Sequence, residues 1–274
     1  RIYEYEKKLT KKNLSNQKDL TTLDLLNIDV IEKHNENYIL KKDLEINNDY
    51  FLAANKKLNI QEGVNIFFNK DVSILSEGSI FFNGTKEKPI TIFSKKNIGS
   101  LIFSNNNFEF NNVVFKNLSY PKIKSKILYG GINIINSKVK IIDTKIISSG
   151  SEDAINIISS DSVINNLRVE NIFADAIDID FGTLEFNNII CINVDNDCLD
   201  VSGAKVKGKF LVGKYIKDKG LSFGENSRGE ILNIDFQNTK LGVAVKDGSK
   251  LKLSNYKLIN NEYDVAVFNK KKEY

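Results

Sequence analysis

A small residue recurs at a nearly fixed interval through the second half of this 274-residue chain. Gly131, Ala154, Ala176, Cys198, Gly220 and Gly242 are separated by one step of 23 residues and then four of 22. Each opens a matching segment: Gly131-Ile-Asn-Ile, Ala154-Ile-Asn-Ile, Ala176-Ile-Asp-Ile, Cys198-Leu-Asp-Val, Gly220-Leu-Ser-Phe and Gly242-Val-Ala-Val. Repeats of this length stack on one another, because a single unit cannot bury its apolar face alone. Apolar residues at every second position make the unit a short strand and not a helix. The chain is therefore expected to be all-β: a right-handed parallel β-helix solenoid with three short strands and about 22 residues per turn.

Alternation fixes which side chains stack. Successive residues of a strand point to opposite faces, and neighbouring strands lie about 4.8 Å apart. Ile132, Ile155, Ile177, Leu199, Leu221 and Val243 form one inner column. Ile134, Ile157, Ile179, Val201, Phe223 and Val245 form a second. Both are continuously apolar and define the expected core. Their neighbours face outward: Asp178 and Asp180, Asp200 and Ser202, Ser222 and Gly224, then Ala244 and Lys246.

No Gly/Ser-rich linker divides the chain, so one domain is expected, with residues 1–40 as an N-terminal cap or extension and 41–274 as the β-helix. Solenoid ends expose unpaired backbone and apolar core, which is why a cap is needed. A short helix is expected through Leu20-Thr-Thr-Leu-Asp-Leu-Leu26, and a projecting loop from Ser119 to Tyr129. Asparagine pairs such as Asn111-Asn112, Asn165-Asn166 and Asn187-Asn188 suit tight corners. Asparagine tolerates the left-handed conformation and bonds its neighbour in a stack. Cys191 and Cys198 are the only cysteines. Cys198 falls in the small-residue column, where a buried free thiol is expected ahead of a disulfide, and no metal-ligand spacing exists.

The net charge of +4 is spread without an aromatic-interleaved basic patch, which argues against nucleic acid as a partner. No run approaches the roughly 18 apolar residues of a membrane span. The chain starts at Arg1 and not at Met, so a trimmed segment or mature form is expected, with other domains of a larger chain as partners.

One strand face carries most of the chemistry. Asp153, Asp175 and Asp197 stack just before the strand and are followed by Lys219. Asp178, Asp180 and Asp200 lie on its outer face with Lys246 further along, and Glu225 and Asp247 share the next column. Like charges stacked at this spacing cost roughly 1 kcal/mol in water and more where solvent is excluded. A bound cation, a lysine, a raised pKa or hydrogen bonds from turn amides must offset that cost. Asp153, Asp175 and Asp197 each precede a small residue at a turn, where aspartate commonly caps backbone N–H groups. Asp178, Asp180 and Asp200 are mid-strand, where aspartate is disfavoured, and are read either as functional or as a solvated face. Lys219 and Lys246 are either neutralising partners or catalytic groups. Asp178 and Asp200, stacked directly, suit a cation shared with Asp180, and calcium is the ion expected for clustered carboxylates. Asp180 and Asp200 are one turn apart and offset by two residues, about 8 Å between Cα atoms. Carboxyls separated by roughly 6.5–9.5 Å fit inverting glycoside hydrolysis.

Residues 173–246 resemble the polygalacturonase family of the pectin-lyase-like β-helix superfamily. That family carries Asn-Thr-Asp, Asp-Asp, Gly-His-Gly and Arg-Ile-Lys on successive turns of one face. The corresponding runs here are Phe173-Ala-Asp175, Asn196-Asp197-Cys198, Asp218-Lys219-Gly220 and Ala244-Val-Lys246. Asp175, Asp197 and Lys246 match functional positions of the family. Asn196 replaces the first Asp of the pair, Lys219 the His and Ala244 the Arg, while the only histidine is the distant His34. The resemblance implies the fold and argues against galacturonan cleavage. The runs Asp218–Glu225 and Gly242–Ser249 are similar to uncharacterised bacterial surface β-helix modules, some of which accompany kinase-like domains of the spore-coat H type.

Two function classes follow. In the first, an extracytoplasmic bacterial protein, secreted, at the cell surface or periplasmic, binds or processes a polysaccharide on the face around Asp178, Asp180, Asp197, Asp200, Lys219 and Lys246. Hydrolysis would use Asp180 and Asp200 as acid and base. Lyase or epimerase chemistry would need Lys219 or Lys246 as the base, with a pKa far below the usual value of about 10.4, and the aspartates oppose that lowering. Asp175, Glu225 and Asp247 would contact the sugar, with Phe181 and Tyr215 as its aromatic platforms. In the second class the chain is a non-catalytic surface or structural binding module, and the Asp–Lys ladder keeps its turns in register.

Overall fold

The computed structural model describes residues 22–35, 37–122 and 128–273. Within them the chain is a parallel β-helix, each strand pairing with the one a turn away. The face that bears the carboxylates begins with Leu23–Asp24, Tyr50–Leu52, Ser73–Ser76 and Ser100–Ser104. It continues through Gly130–Ile135, Asp153–Ile158, Asp175–Asp180 and Leu199–Ser202. The final residues of Lys205–Gly224 and of Arg228–Lys246 follow, and Tyr263–Phe268 ends it. The other two faces run alongside, starting from Asn37–Leu40 and from Leu44–Ile46. Among the described residues one pairing is antiparallel, Ile31–His34 with Asn37–Leu40 at the N-terminal end. No helix among them is long and apolar enough to cross a membrane.

Register is what turns the sequence period into a core. Ile155, Ile177, Leu199, Leu221 and Val243 are paired in succession, as are Ile157, Ile179, Val201, Phe223 and Val245. All are buried except Val245. Full burial of such a side chain stabilises by about 1.5–3 kcal/mol, and every turn adds the same contribution to the next. Val245 is half-buried because it lies one turn from the end of the described stack. Val265 and Val267 continue the two columns there and are 55% and 78% exposed. In the N-terminal half phenylalanines fill the interior, with Phe82, Phe103, Phe110 and Phe115 in successive ring contacts.

Corners repeat as strictly as strands. Asn117, Asn171, Asn193, Asn238 and Asn260 all have φ between 54° and 58°, the left-handed region that asparagine tolerates. Stacked amides bond along the axis as expected: Asn193 donates to Asn171 and Asn255 to Asn233, both at 3.1 Å, and Asn187 donates to Asn165.

Two expectations meet a different outcome, and a third falls partly outside the described residues. Thr22 to Leu26 is not α-helical: Leu23–Asp24 is extended and Leu25–Asn27 forms a single 3-10 turn capped by Asp24. Leu25 is buried in the core, and inserting it there overrides the local helical pattern. Leu20 and Thr21, and residues 123–127 of the expected loop, lie outside the described residues. The cysteines form a disulfide, with Cα atoms 5.7 Å apart. Cys191 faces the interior from the strand Thr183–Val194, and the corner after it brings Cys198 across the same buried space. Sequence separation alone does not show that closure. Thiol titration of the denatured, unreduced protein should therefore find no free thiol, and two after reduction; two before reduction would reject the bridge.

Candidate functional site

The site is built where strict alternation breaks. In Asp153–Ile158 both Ala154 and Ile155 are buried, so the small residue and the one after it face the core together. That brings Asp153 and Asn156, on either side of the pair, to the same outer surface. Asn156 Nδ2 donates to Asp153 Oδ2 at 3.0 Å and to Asp178 Oδ2, one turn on, at 2.8 Å. Asn133 closes the equivalent loop a turn earlier, bonding both the N–H and the carbonyl of Gly130. The mid-strand column thus reads Asn133, Asn156, Asp178, Asp200, Ser222, Ala244.

The column just before the strand has a structural duty. Asp175 Oδ1 accepts the backbone N–H of Asp197 at 2.7 Å, and Asp197 Oδ1 accepts that of Lys219 at 3.0 Å. Each carboxylate so fastens the turn that follows it. Lys219 Nζ lies 3.2 and 3.3 Å from the two oxygens of Asp197 and also bonds Asp218. Asp153 is different: the N–H of Asp175 goes to the carbonyl of Glu152, which leaves the Asp153 carboxyl to Asn156.

The outer face around Lys246 is not a solvated surface. Ser222 and Ala244 are fully buried and Lys246 is 8% exposed. Its stem runs back over Gly224, where an added Cβ would sit 3.3 Å from Lys246 Cε. The ammonium then reaches Ser222 Oγ at 2.6 Å and lies 3.9 Å from Asp200 Oδ1. Small residues on the preceding turn make this path, and a side chain at Gly224 would crowd it. Asp200 Oδ1 and Asn156 Oδ1 are buried without a hydrogen bond.

Burial and crowding shape the electrostatics. Burial, reinforced by Asp175, pushes Asp153 up to about 8. Burial and then Asp197 push Asp175 up to about 7. Asp197 rises to about 6, again through burial, with Asp200 adding to the rise and Lys219 opposing it. Asp178 is held well above the carboxylate range by burial first and then by Asp180 and Asp153. Burial pulls Lys219 down, but Asp197 and Asp218 outweigh it and its pKa is raised.

Asp175, Asp178, Asp180, Asp197, Asp200, Lys219 and Lys246 are thus gathered on one face. Asp180 pairs in register with Ser202, so the offset of two residues from Asp200 holds. Phe181 follows at the corner with φ 51°. Tyr215 is exposed, with φ 59°, on the corner that precedes the carboxylate strands. Glu225 and Asp247 are tied to the C-terminal segment: Glu225 pairs with Lys271, and Asp247 Oδ1 accepts the N–H groups of Lys270 and Lys271 at 2.6 and 2.8 Å. Among the described residues no three acidic, imidazole or thiol side chains are gathered closely enough to hold a metal ion. Sequence reasoning gave no functional role to Asn156, Asn133, Ser222 and Phe173, which is 70% exposed and two residues before Asp175. The first three are third residues of the matching segments, so the repeat itself was the signal.

No family model matches the sequence, and no curated protein is detectably similar to it. Among solved structures, a mutant form of the periplasmic alginate epimerase AlgG is similar at 12% identity with a TM-score of 0.31, over 87% of this chain and 80% of that one. A second crystal structure of the periplasmic alginate epimerase AlgG gives 10% identity and a TM-score of 0.28 over the same shares. At these scores neither likeness bears on what this chain does.

Proposed function

We propose that the face formed by Asp178, Asp180, Asp200 and Lys246 binds an extended polysaccharide and hydrolyses it. One observation carries this reading: Asp178, half-buried and held well above the carboxylate range, stacks directly on Asp200, whose Oδ1 faces Lys246 Nζ. A carboxyl protonated near neutrality can give its proton to a glycosidic oxygen, and a second carboxylate beside it can act as base or nucleophile. Asp180, diagonal to Asp200, is the alternative acid. Lys219 suits lyase or epimerase chemistry poorly, because its pKa is raised and a base must be free of its proton. Work outside the cytoplasm accords with the disulfide, which persists in oxidising compartments.

The test is a panel of neutral and acidic polysaccharides, scored for reducing ends and for unsaturated-uronate absorbance. Asp178→Asn and Asp200→Asn should each lower turnover about 100-fold or more while the proteins remain folded. Silence of the wild-type protein in both channels would reject hydrolysis. A non-catalytic binding module is then the second reading, favoured by the N–H bonds of Asp175 and Asp197, which a scaffold would need in any case.

Calcium held by Asp178, Asp180 and Asp200, which would have to draw closer together to ligate it, is a separate proposal for offsetting the same charge. It predicts measurable heat and a higher melting temperature in millimolar calcium; the absence of both would reject it.

Protonation also ties stability to pH. The folded-state values of about 8, 7 and 6 for Asp153, Asp175 and Asp197 lie above the unfolded carboxylate value of about 3.9. The folded protein therefore holds more protons, and the stability these groups contribute is lost as pH rises through those values. Melting temperature should fall between pH 5 and pH 8.5, and Asp175→Asn should flatten the fall. A flat wild-type profile would contradict the burial of these groups.

A further inference from the structure

Away from the carboxylates, the other two faces meet at a corner of one residue per turn. Asn112, Asp143 and Asn166 occupy it on successive turns with φ of 49°, 45° and 63°. One turn earlier the strands Ser79–Asn83 and Ile90–Ser94 are joined by a longer loop, Gly84–Pro89. The N–H groups of Gly84 and Ile90 donate to the carbonyls of Asn111 and Asn112 at 2.9 and 3.1 Å, which seats both ends of the loop on the next turn. Glu62 fixes it from the other side, bonding Thr85 Oγ1 at 3.0 Å and Lys88 Nζ at 3.2 Å. The loop so held walls one side of an open groove of about 640 Å³, with Lys86 and Pro89 lining it.

The strands supply the rest of the lining. Val114, Lys145, Arg168 and Ile190 are successive register partners in one column and all border the groove. Two cations are therefore neighbours along the axis, about 4.8 Å apart, with an apolar residue on either side. Ion pairing along the axis can offset such charge, as where Lys252 lies on Glu230 at 2.8 Å and Lys257 on Asp235 at 3.4 Å. Among the described residues neither Lys86 nor Lys145 has an ion pair. Arg168 donates from Nε to Glu170, which orients the guanidinium and leaves its Nη groups without a hydrogen bond among the described residues. Asp143 is the one carboxylate in the lining, set against three cations, and it accepts the Asn166 amide at 2.8 Å.

These donors define the anion that would fit them. A carboxylate has two oxygens, which the Nη groups of Arg168 alone would occupy. A phosphate monoester has three free oxygens and nearly two negative charges, enough to reach Arg168, Lys145 on the adjacent turn and Lys86 on the loop together. Pro89, Val114 and Ile190 are half-buried and offer an apolar rest for the organic part. We infer that this groove binds a small phosphate monoester, its oxygens held by Lys86, Lys145 and Arg168 and its organic group laid on Pro89, Val114 and Ile190. The inference is independent of the proposed hydrolase, because these strands and those of the carboxylates lie on different faces of the stack.

The probe is phenyl phosphate, titrated by calorimetry into the full chain at neutral pH and low salt, with inorganic phosphate, phenyl sulfate and benzoate for comparison. Phenyl phosphate should bind with a Kd below about 1 mM and more tightly than the other three. Lys145→Ala and Arg168→Ala should each weaken it about tenfold or more, and Lys86→Ala several-fold. Arg168→Lys keeps the charge but loses the planar fork, and should also lose several-fold. Lys145 is exposed and its removal relieves a repulsion, so the melting temperature of Lys145→Ala should not drop and the lost binding cannot be ascribed to unfolding. Asp200→Asn should bind phenyl phosphate as the wild type does. Wild-type affinity in both Lys145→Ala and Arg168→Ala would overturn the inference, as would no binding of phenyl phosphate at millimolar concentration. Equal affinity for phenyl sulfate or benzoate would overturn the assignment to a phosphate monoester.

Discussion

Each residue of a parallel β-helix lies about 4.8 Å from its equivalent on the next turn, so every side chain must tolerate a near-copy of itself above and below. Apolar residues gain from this, and the two inner columns are the result. Asparagine gains as well, because its amide both donates and accepts and can bond along the axis without end. Aspartate cannot. Stacked carboxylates repel, and each must find an N–H, a lysine or a proton. All three solutions occur within a few turns: the backbone of the following turn for Asp175 and Asp197, lysine for Asp197 and Asp200, and a raised pKa for Asp178.

Partial to full burial of these carboxylates makes the need for partners sharper. Removing two charges from water is costly, and their mutual attraction compensates only with good geometry and further hydrogen bonds. Lys219 meets that condition, with contacts to both oxygens of Asp197 and to Asp218. Lys246 meets it less well. Its one close hydrogen bond is to Ser222, and its distance to Asp200 is 3.9 Å. A scaffold that needed only charge balance would shorten that contact. The loose pair leaves Asp200 Oδ1 buried and without a hydrogen bond, a condition rarely left without a reason in a buried polar cluster.

Much of this was legible in the sequence, and the limits have a physical cause. A period of 22 fixes register along the axis, so the inner columns, the Asp153–Asp175–Asp197–Lys219 stack and the asparagine ladders could all be read from residue numbers. Side-chain direction within a turn is set by local breaks in alternation, which a period does not report. Asn156 therefore escaped notice although its residue type sat in plain view, and the buried path of Lys246 depends on what Ser222 and Gly224 lack. Cys191 and Cys198 were separated by a corner whose closure no spacing rule specifies. Leu25 was read as part of a helix because its neighbours look helical, while the core it enters lies on strands far along the chain.

Departures from the repeat are informative when a neighbouring turn has been altered to permit them. Residues 173–181 hold several at once: exposed Phe173, the carboxyls of Asp175, Asp178 and Asp180, and Phe181 in a left-handed corner. Each has a matching change next door. Gly203 makes room for Phe181, Asn156 supplies the donor between Asp153 and Asp178, and Ser222 and Gly224 open the way for Lys246 toward Asp200. A stack needed only for length would be served by asparagine at the corner and an uncharged residue on the strand, as Asn136 and Asn133 show two turns earlier. Paired departures in one turn and its neighbours cost stability that the plain repeat would keep. Their concentration around a single surface is the physical reason for proposing that surface, and not the whole length of the stack, as the functional site.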